Sequence, residues 1–152
     1  MMGSEAVILV GIQATGKSTF CRDRFFRTHV RINLDMLKTR SRERVLLEAC
    51  LSSGQSFVVD NTNPTSEDRA RYIQPAREAG FKVVGYYFES ALQGALDRNE
   101  ARPIEERVPK PGVLGTHGRL GVPSPAEGFD ELWYVRIGDA GGFIVEEWAG
   151  EV

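Results

Sequence analysis

Residues 11–18, Gly11-Ile12-Gln13-Ala14-Thr15-Gly16-Lys17-Ser18, fit the spacing G-x-x-x-x-G-K-[ST], with Thr19 directly behind. Glycines let such a loop turn tightly and aim its N–H groups inward, the lysine adds a point charge, and the serine hydroxyl can ligate Mg²⁺. A helix starting at Lys17 would add the positive potential of its N-terminus. Gly11, Gln13, Ala14, Thr15, Gly16, Lys17, Ser18 and Thr19 are therefore the candidate cradle for the phosphates of ATP. Two carboxylates stand where phosphoryl transfer would need them. Asp35 stands just past a short strand read at 31–34 and could take a proton from an attacking hydroxyl, or equally cap a helix starting at Met36. Asp60 closes Phe57-Val58-Val59, as a Mg²⁺ partner for Ser18 or as a turn former before Asn61-Thr62-Asn63-Pro64. Arg98 and Arg102, four apart, would share a helix face, either covering the transferred phosphoryl group or pairing with Asp97, Glu105 or Glu106.

These groups converge only if strands and helices alternate. Residues 6–10 read as a buried strand, 17–28 as a helix with Phe20, Cys21, Phe25 and Phe26 on its apolar side, and 31–34 as a second strand. A helix over 36–53 ends before Gly54, and 56–60 is the third strand. A helix over 66–79, a strand over 82–89 and a helix from 91 to Arg102, stopped by Pro103, complete the pattern. Residues 103–128 hold five prolines and five glycines, so a mobile lid over roughly 98–128 is expected, with a weak helix at 113–120. Strands follow at 132–137 and, at the edge, 143–148. The expected fold class is α/β: one domain over 1–152, with a parallel sheet of about five strands and helices on both faces.

With 152 residues, 41% hydrophobic and 26% charged, the chain can bury a real core, which excludes disorder as its main state. Its longest apolar run, residues 6–10, is too short for a membrane helix, and no secretion leader precedes it, so a cytoplasmic protein is expected. Cys21 and Cys50 lack C-x-x-C spacing and read as free thiols. The net charge of −2 hides an asymmetry: residues 1–45 carry nine Lys/Arg against four Asp/Glu, and the remainder ten against seventeen. Contact with a polyanion would therefore be local. The N-K-x-D string of GTPase base recognition is absent, and Leu51-Ser52-Ser53-Gly54-Gln55, which resembles a transporter-ATPase signature, falls where a helix ends. His29 and His117 have no metal-site pattern, while Tyr86, Tyr87, Trp133 and Tyr134 lie in strand patterns and read as core.

Taken together, these residues resemble the kinase domain of the 5′-hydroxyl polynucleotide kinases, phage and DNA-repair forms alike. Residues 11–18 look like the family P-loop, Ile32-Asn33-Leu34-Asp35 like the segment carrying its general base, and Val59-Asp60-Asn61-Thr62-Asn63-Pro64 like the repair enzymes. Arg69-Ala70-Arg71-Tyr72-Ile73-Gln74, Arg98-Asn99-Glu100-Ala101-Arg102 and Glu127-Gly128-Phe129 continue the likeness. The resemblance implies a P-loop kinase fold, ATP and Mg²⁺, with Lys17 and Ser18 on phosphates and metal, Asp35 as base, and Arg98 or Arg102 at the transferred phosphate. Family members often place an arginine beside the base. Here Leu34 precedes and Lys38 follows, which makes Lys38 and Arg40 the candidates for acceptor phosphate. The implied acceptor is the 5′-OH end of a polynucleotide. Because no phosphatase domain accompanies the chain, a smaller metabolite or sugar hydroxyl is the alternative, and a nucleotide-binding module without catalysis the third reading.

Overall fold

The computed structural model describes residues 3–148. Its frame is a six-stranded sheet in the order β2 (Val30–Ile32), β3 (Phe57–Val59), β1 (Glu5–Val10), β4 (Lys82–Phe88), β5 (Glu131–Ile137), β6 (Phe143–Glu147). Val7 of β1 pairs with Val58 on one side and Val84 on the other, both parallel, and the helices that connect such strands cover them above and below. That explains their unbroken apolar runs: a strand buried on both faces cannot alternate with polar residues.

Side chains alternate between the two faces. Ala6, Ile8 and Val10 pack with Phe57, Val59 and Val83 against α3 (Arg40–Ser53) and α4 (Ser66–Glu78), through Leu47, Cys50, Tyr72, Ile73 and Ala76. Val7 and Leu9 face the other way, with Val58, Val84 and Phe88, onto Phe20, Cys21 and Phe25 of α1 (Lys17–Phe25). Phe20 is the hub there, its ring centroid 5.1–5.2 Å from those of Tyr86, Phe88 and Phe143. Both cysteines are free and buried, one in each core, and burial pushes the Cys21 thiol up to about 11.

Three sequence expectations change. The helix expected over 36–53 is two: α2 (Leu34–Leu37) stops at Lys38, whose φ of 77° is left-handed, and α3 starts afresh because the Thr39 side chain accepts the Arg42 N–H. Local capping by Thr39 outcompetes continuation of the helix. Beside five parallel strands the sheet carries the edge strand expected over 143–148, which makes six. The sixth is antiparallel, since the short link across Gly138, Gly141 and Gly142 can only reverse the chain, closed by Gly138 N–H to Gly142 C=O at 2.6 Å. Within the expected lid, α5 (Leu92–Glu100) ends before Arg102, and α6 (Lys110–Arg119) is longer than the 113–120 helix expected. Pro111 sits in its first turn, where a missing N–H breaks no helical bond. Among the described residues no helix is long and apolar enough to cross a membrane.

Candidate active site

The loop of residues 11–18 leaves β1 at the carboxyl edge of the sheet, and neighbouring loops hold it there. Gly11 N–H donates to Thr62 C=O at 3.0 Å and Ile12 N–H to Ser90 Oγ at 3.1 Å. Gly16 has φ 96°, and a Cβ on it would lie 2.8 Å from the Phe143 ring, so both conformation and space require glycine. Lys17 turns back into the loop, donating to Ile12 C=O at 2.6 Å. Burial lowers its pKa to about 8, against the pull of Asp60 and with a further push from Arg102. Gln13 Nε2 donates to Thr116 Oγ1 of α6 at 3.0 Å, and Arg98 Nε of α5 donates to Ala14 C=O at 2.5 Å. Gln13 Oε1 is left buried with no hydrogen-bond partner among the described residues.

Asp60, at the end of β3, is 3% exposed, and one of its oxygens is shared. Oδ2 accepts from Ser18 Oγ at 3.0 Å and from Arg31 Nε and Nη2 at 2.9 and 2.8 Å. A carboxylate and a hydroxyl oxygen beside a phosphate loop form a hard-donor set that suits Mg²⁺, which takes one or two protein oxygens and completes its shell with phosphates and water. Among the described residues no cluster of three or more His, Cys, Asp or Glu forms a self-sufficient metal cage.

Asp35 is not a helix cap. Asn33 fills that role, its Oδ1 accepting the Met36 N–H at 2.9 Å while its Nδ2 donates to the Asp60 carbonyl at 2.6 Å. Asp35 therefore sits in the first turn of α2 with its carboxylate available to the cleft. A four-residue helix has no stability of its own, so its position must be imposed from outside. Asn61 imposes it: Oδ1 accepts the Leu34 N–H at 2.9 Å, and Nδ2 donates to Glu43 Oε2 at 3.1 Å and Tyr72 Oη at 3.2 Å. Glu43 is 2% exposed and also takes Arg40 Nη1 at 2.8 Å, so its buried charge is paired. Burial and the Glu43 charge raise the pKa of Tyr72.

A cleft of about 520 Å³ collects these groups: Lys17, Ser18, Asp35, Asp60, Arg40 and Arg102 all line it, as do Gln13 and Ala14. Gly11, Thr15 and Gly16 shape the loop without lining the cleft, and Thr19 lines a neighbouring hollow. Lys38, exposed at the α2 end, and Arg98, bonded to Ala14, do not line the cleft. Arg98 and Arg102 thus part company because α5 ends between them. Sequence reasoning missed Arg119, another cation on the cleft wall, which carries no local signal; it also missed Arg31, Asn33 and Asn61. Asn61 stood in plain view within Asp60-Asn61-Thr62-Asn63-Pro64, but its partners come from α3 and α4.

The AAA-domain family model matches residues 7–117. The chain belongs to that family. It is 33% identical over 133 residues to the bifunctional polynucleotide phosphatase/kinase of Schizosaccharomyces pombe and 35% identical over 135 residues to the putative bifunctional polynucleotide phosphatase/kinase of Acanthamoeba polyphaga mimivirus. Each match takes in 84% of this chain and 32% of the relative, so the chain spans about a third of the length of these curated relatives. Among solved structures it is similar to Chaetomium thermophilum Kti12 in complex with ADP-AlF3, with 16% identity, TM-score 0.64, and 90% of this chain and 92% of that one covered. A gluconokinase from Sinorhizobium meliloti 1021 aligns with 15% identity and TM-score 0.60, over 89% and 83% of the two chains. The fold is that of the P-loop kinases.

Proposed function

We propose that the chain is an ATP-dependent kinase that transfers the γ-phosphoryl group to the 5′-OH end of a polynucleotide. The observation that carries the reading is the placement of Asp35 across one cleft from Lys17, Ser18 and Asp60, held there by Asn33 and Asn61 rather than spent on a cap. The likeness to two polynucleotide phosphatase/kinases supports the choice of acceptor. The loop N–H groups and Lys17 bind the triphosphate, and Mg²⁺, when bound by Ser18 and Asp60 with the phosphates, would neutralise part of their charge. Asp35 accepts the proton of the acceptor hydroxyl as its oxygen bonds to the γ-phosphorus and the bond to ADP breaks. Arg102 faces the charge spread over the moving phosphoryl group, and Arg40 the acceptor's own phosphate. Arg98 acts on the loop through Ala14.

The test is transfer of labelled γ-phosphate from ATP, with Mg²⁺, to short DNA and RNA strands bearing a 5′-OH. Asp35→Asn is expected to lower transfer by about 10² or more while ATP binding holds. Binding and transfer lost together would show a structural role for Asp35, and ATP bound without any labelled strand would turn the search to smaller hydroxyl compounds.

A further inference from the structure

Ser18 lines two hollows, the cleft with Asp35 and a second of about 530 Å³ along α1, walled by Arg22, Phe25, Phe26, His29 and Arg31. The reaction above makes no use of the second. Phe26 is 80% exposed, although Phe20 and Phe25 already supply the apolar face of α1, so its ring forgoes the burial that aromatic side chains ordinarily gain. Around it lies a basic stretch of the chain: residues 17–31 carry Lys17, Arg22, Arg24, Arg27 and Arg31 against Asp23. Several of these are committed. Arg31 is paired with Asp60 at 2.8 Å, Arg22 lies 3.5 Å from Asp23, Arg24 covers the rings of Phe20 and Tyr86, and His29 meets Glu5 at 2.8 Å. Arg22, on the wall, and Arg27, next to Phe26 in the chain, are both exposed to solvent.

The hollow adjoins the cleft. Ser18 lines both, and Arg31 Nη1, on the hollow's wall, lies 4.0 Å from Sδ of Met36, the half-exposed neighbour of the cleft residue Asp35. An exposed aromatic beside cations is what holds a single strand without reading its sequence: bases stack on the ring and phosphates follow the charges. We propose that this hollow binds the acceptor strand beyond its terminal nucleotide, with a base on Phe26 and the backbone passing Arg22 and Arg27. The proposal rests on the polynucleotide reading of the site and extends it to where the strand runs.

The experiment compares a 5′-OH dinucleotide with a single strand of about ten nucleotides as acceptors for the wild type and Phe26→Ala. Phe26→Ala is expected to raise KM for the long strand about tenfold while KM for the dinucleotide and for ATP stays within about twofold. Replacing Arg22 and Arg27 together by Gln should flatten the slope of log kcat/KM against log salt for the long strand by roughly one. An unchanged KM for the long strand, or an equal rise for both acceptors, overturns the proposal, and a rise in ATP KM overturns it by giving the hollow to the nucleotide base. Fluorescence anisotropy of a labelled single strand needs no turnover and so separates the hollow from the reaction. If the wild type labels no strand, the acceptor reading fails, and the hollow then stands or falls on whether Phe26→Ala weakens that binding.

Discussion

Lys17 enters the fold at a cost, because burial disfavours its charged form although the ammonium donates to the Ile12 carbonyl. Its pKa of about 8 lies below the ordinary 10.5, so between those values the unfolded chain holds the extra proton. Stability from this group therefore rises as pH climbs from 8 to 10.5, and below 8 the full penalty is present. ATP binding should run the opposite way, since the phosphates need the charged form: Kd is expected to rise by up to about tenfold per pH unit above 8, and to stay level in Lys17→Arg. Calorimetric titration at several pH values reads this, and a level wild-type Kd would take Lys17 off the phosphates. In the proposed reaction Asn61 acts on chemistry through Asp35. Asn61→Ala should lower kcat by roughly 10–10² with ATP KM little changed, and should add almost nothing in an Asp35→Asn background, as for residues that work as one unit. Independent, multiplying losses would make Asn61 a structural residue only.

At the scale of elements, Arg69 ties α4 to the connection that leads into β5. It is 1% exposed and bonds Glu127 through Nε and Nη2 at 2.7 and 3.1 Å, and the carbonyls of Asn63 and Gly121 through Nη1 at 2.9 and 3.1 Å. Asn63 in turn reaches the Leu9 carbonyl of β1 at 2.8 Å, so this arginine braces the loop behind Asp60. Arg69→Ala takes its charged partner from Glu127, which keeps the Ser124 N–H, and the donor from two carbonyls, and should cost about 3–5 kcal/mol. Thermal unfolding would register that as a drop in Tm of more than about 6 °C, with Arg69→Lys recovering only part because it lacks the fork. A Tm unchanged by Arg69→Ala would sink this account of the bracing. In sequence Arg69 stood only within the family-like run Arg69–Gln74, with no role of its own, since nothing local shows that residues 121–127 fold over it.

At the scale of the whole molecule, the cleft draws on the loops after β1, β2 and β3 and on the segment from Arg102 to Arg119, so a ligand there bridges parts far apart in the chain. ATP with Mg²⁺ at about 100 times its Kd should add about 2.7 kcal/mol of stability, a rise in Tm of roughly 5–10 °C for a chain of this size. In Lys17→Ala that rise should vanish. A full rise in Lys17→Ala, followed by scanning fluorimetry, would place the nucleotide elsewhere.

The sequence alone determined the architecture and the phosphate loop, because both rest on local order. Strands buried on two faces must be apolar throughout, the helices between them repeat every 3.6 residues, and residues 11–18 are contiguous, so each signal is written in adjacent residues. Asp35 and Asp60 were legible for the same reason, each standing at the carboxyl end of a segment read as a short strand. What the tertiary structure decided were the relations between distant segments. It gave the cap of α2 to Asn33, turned Asn61 and Glu43 into the support of Asp35, bound Arg98 to the loop while Arg102 reached the cleft, and added Arg119 from α6. A hydrogen bond is set by which atoms come within about 3 Å, and residues brought together by the crossovers of a parallel sheet leave no mark of that meeting in their own neighbourhoods.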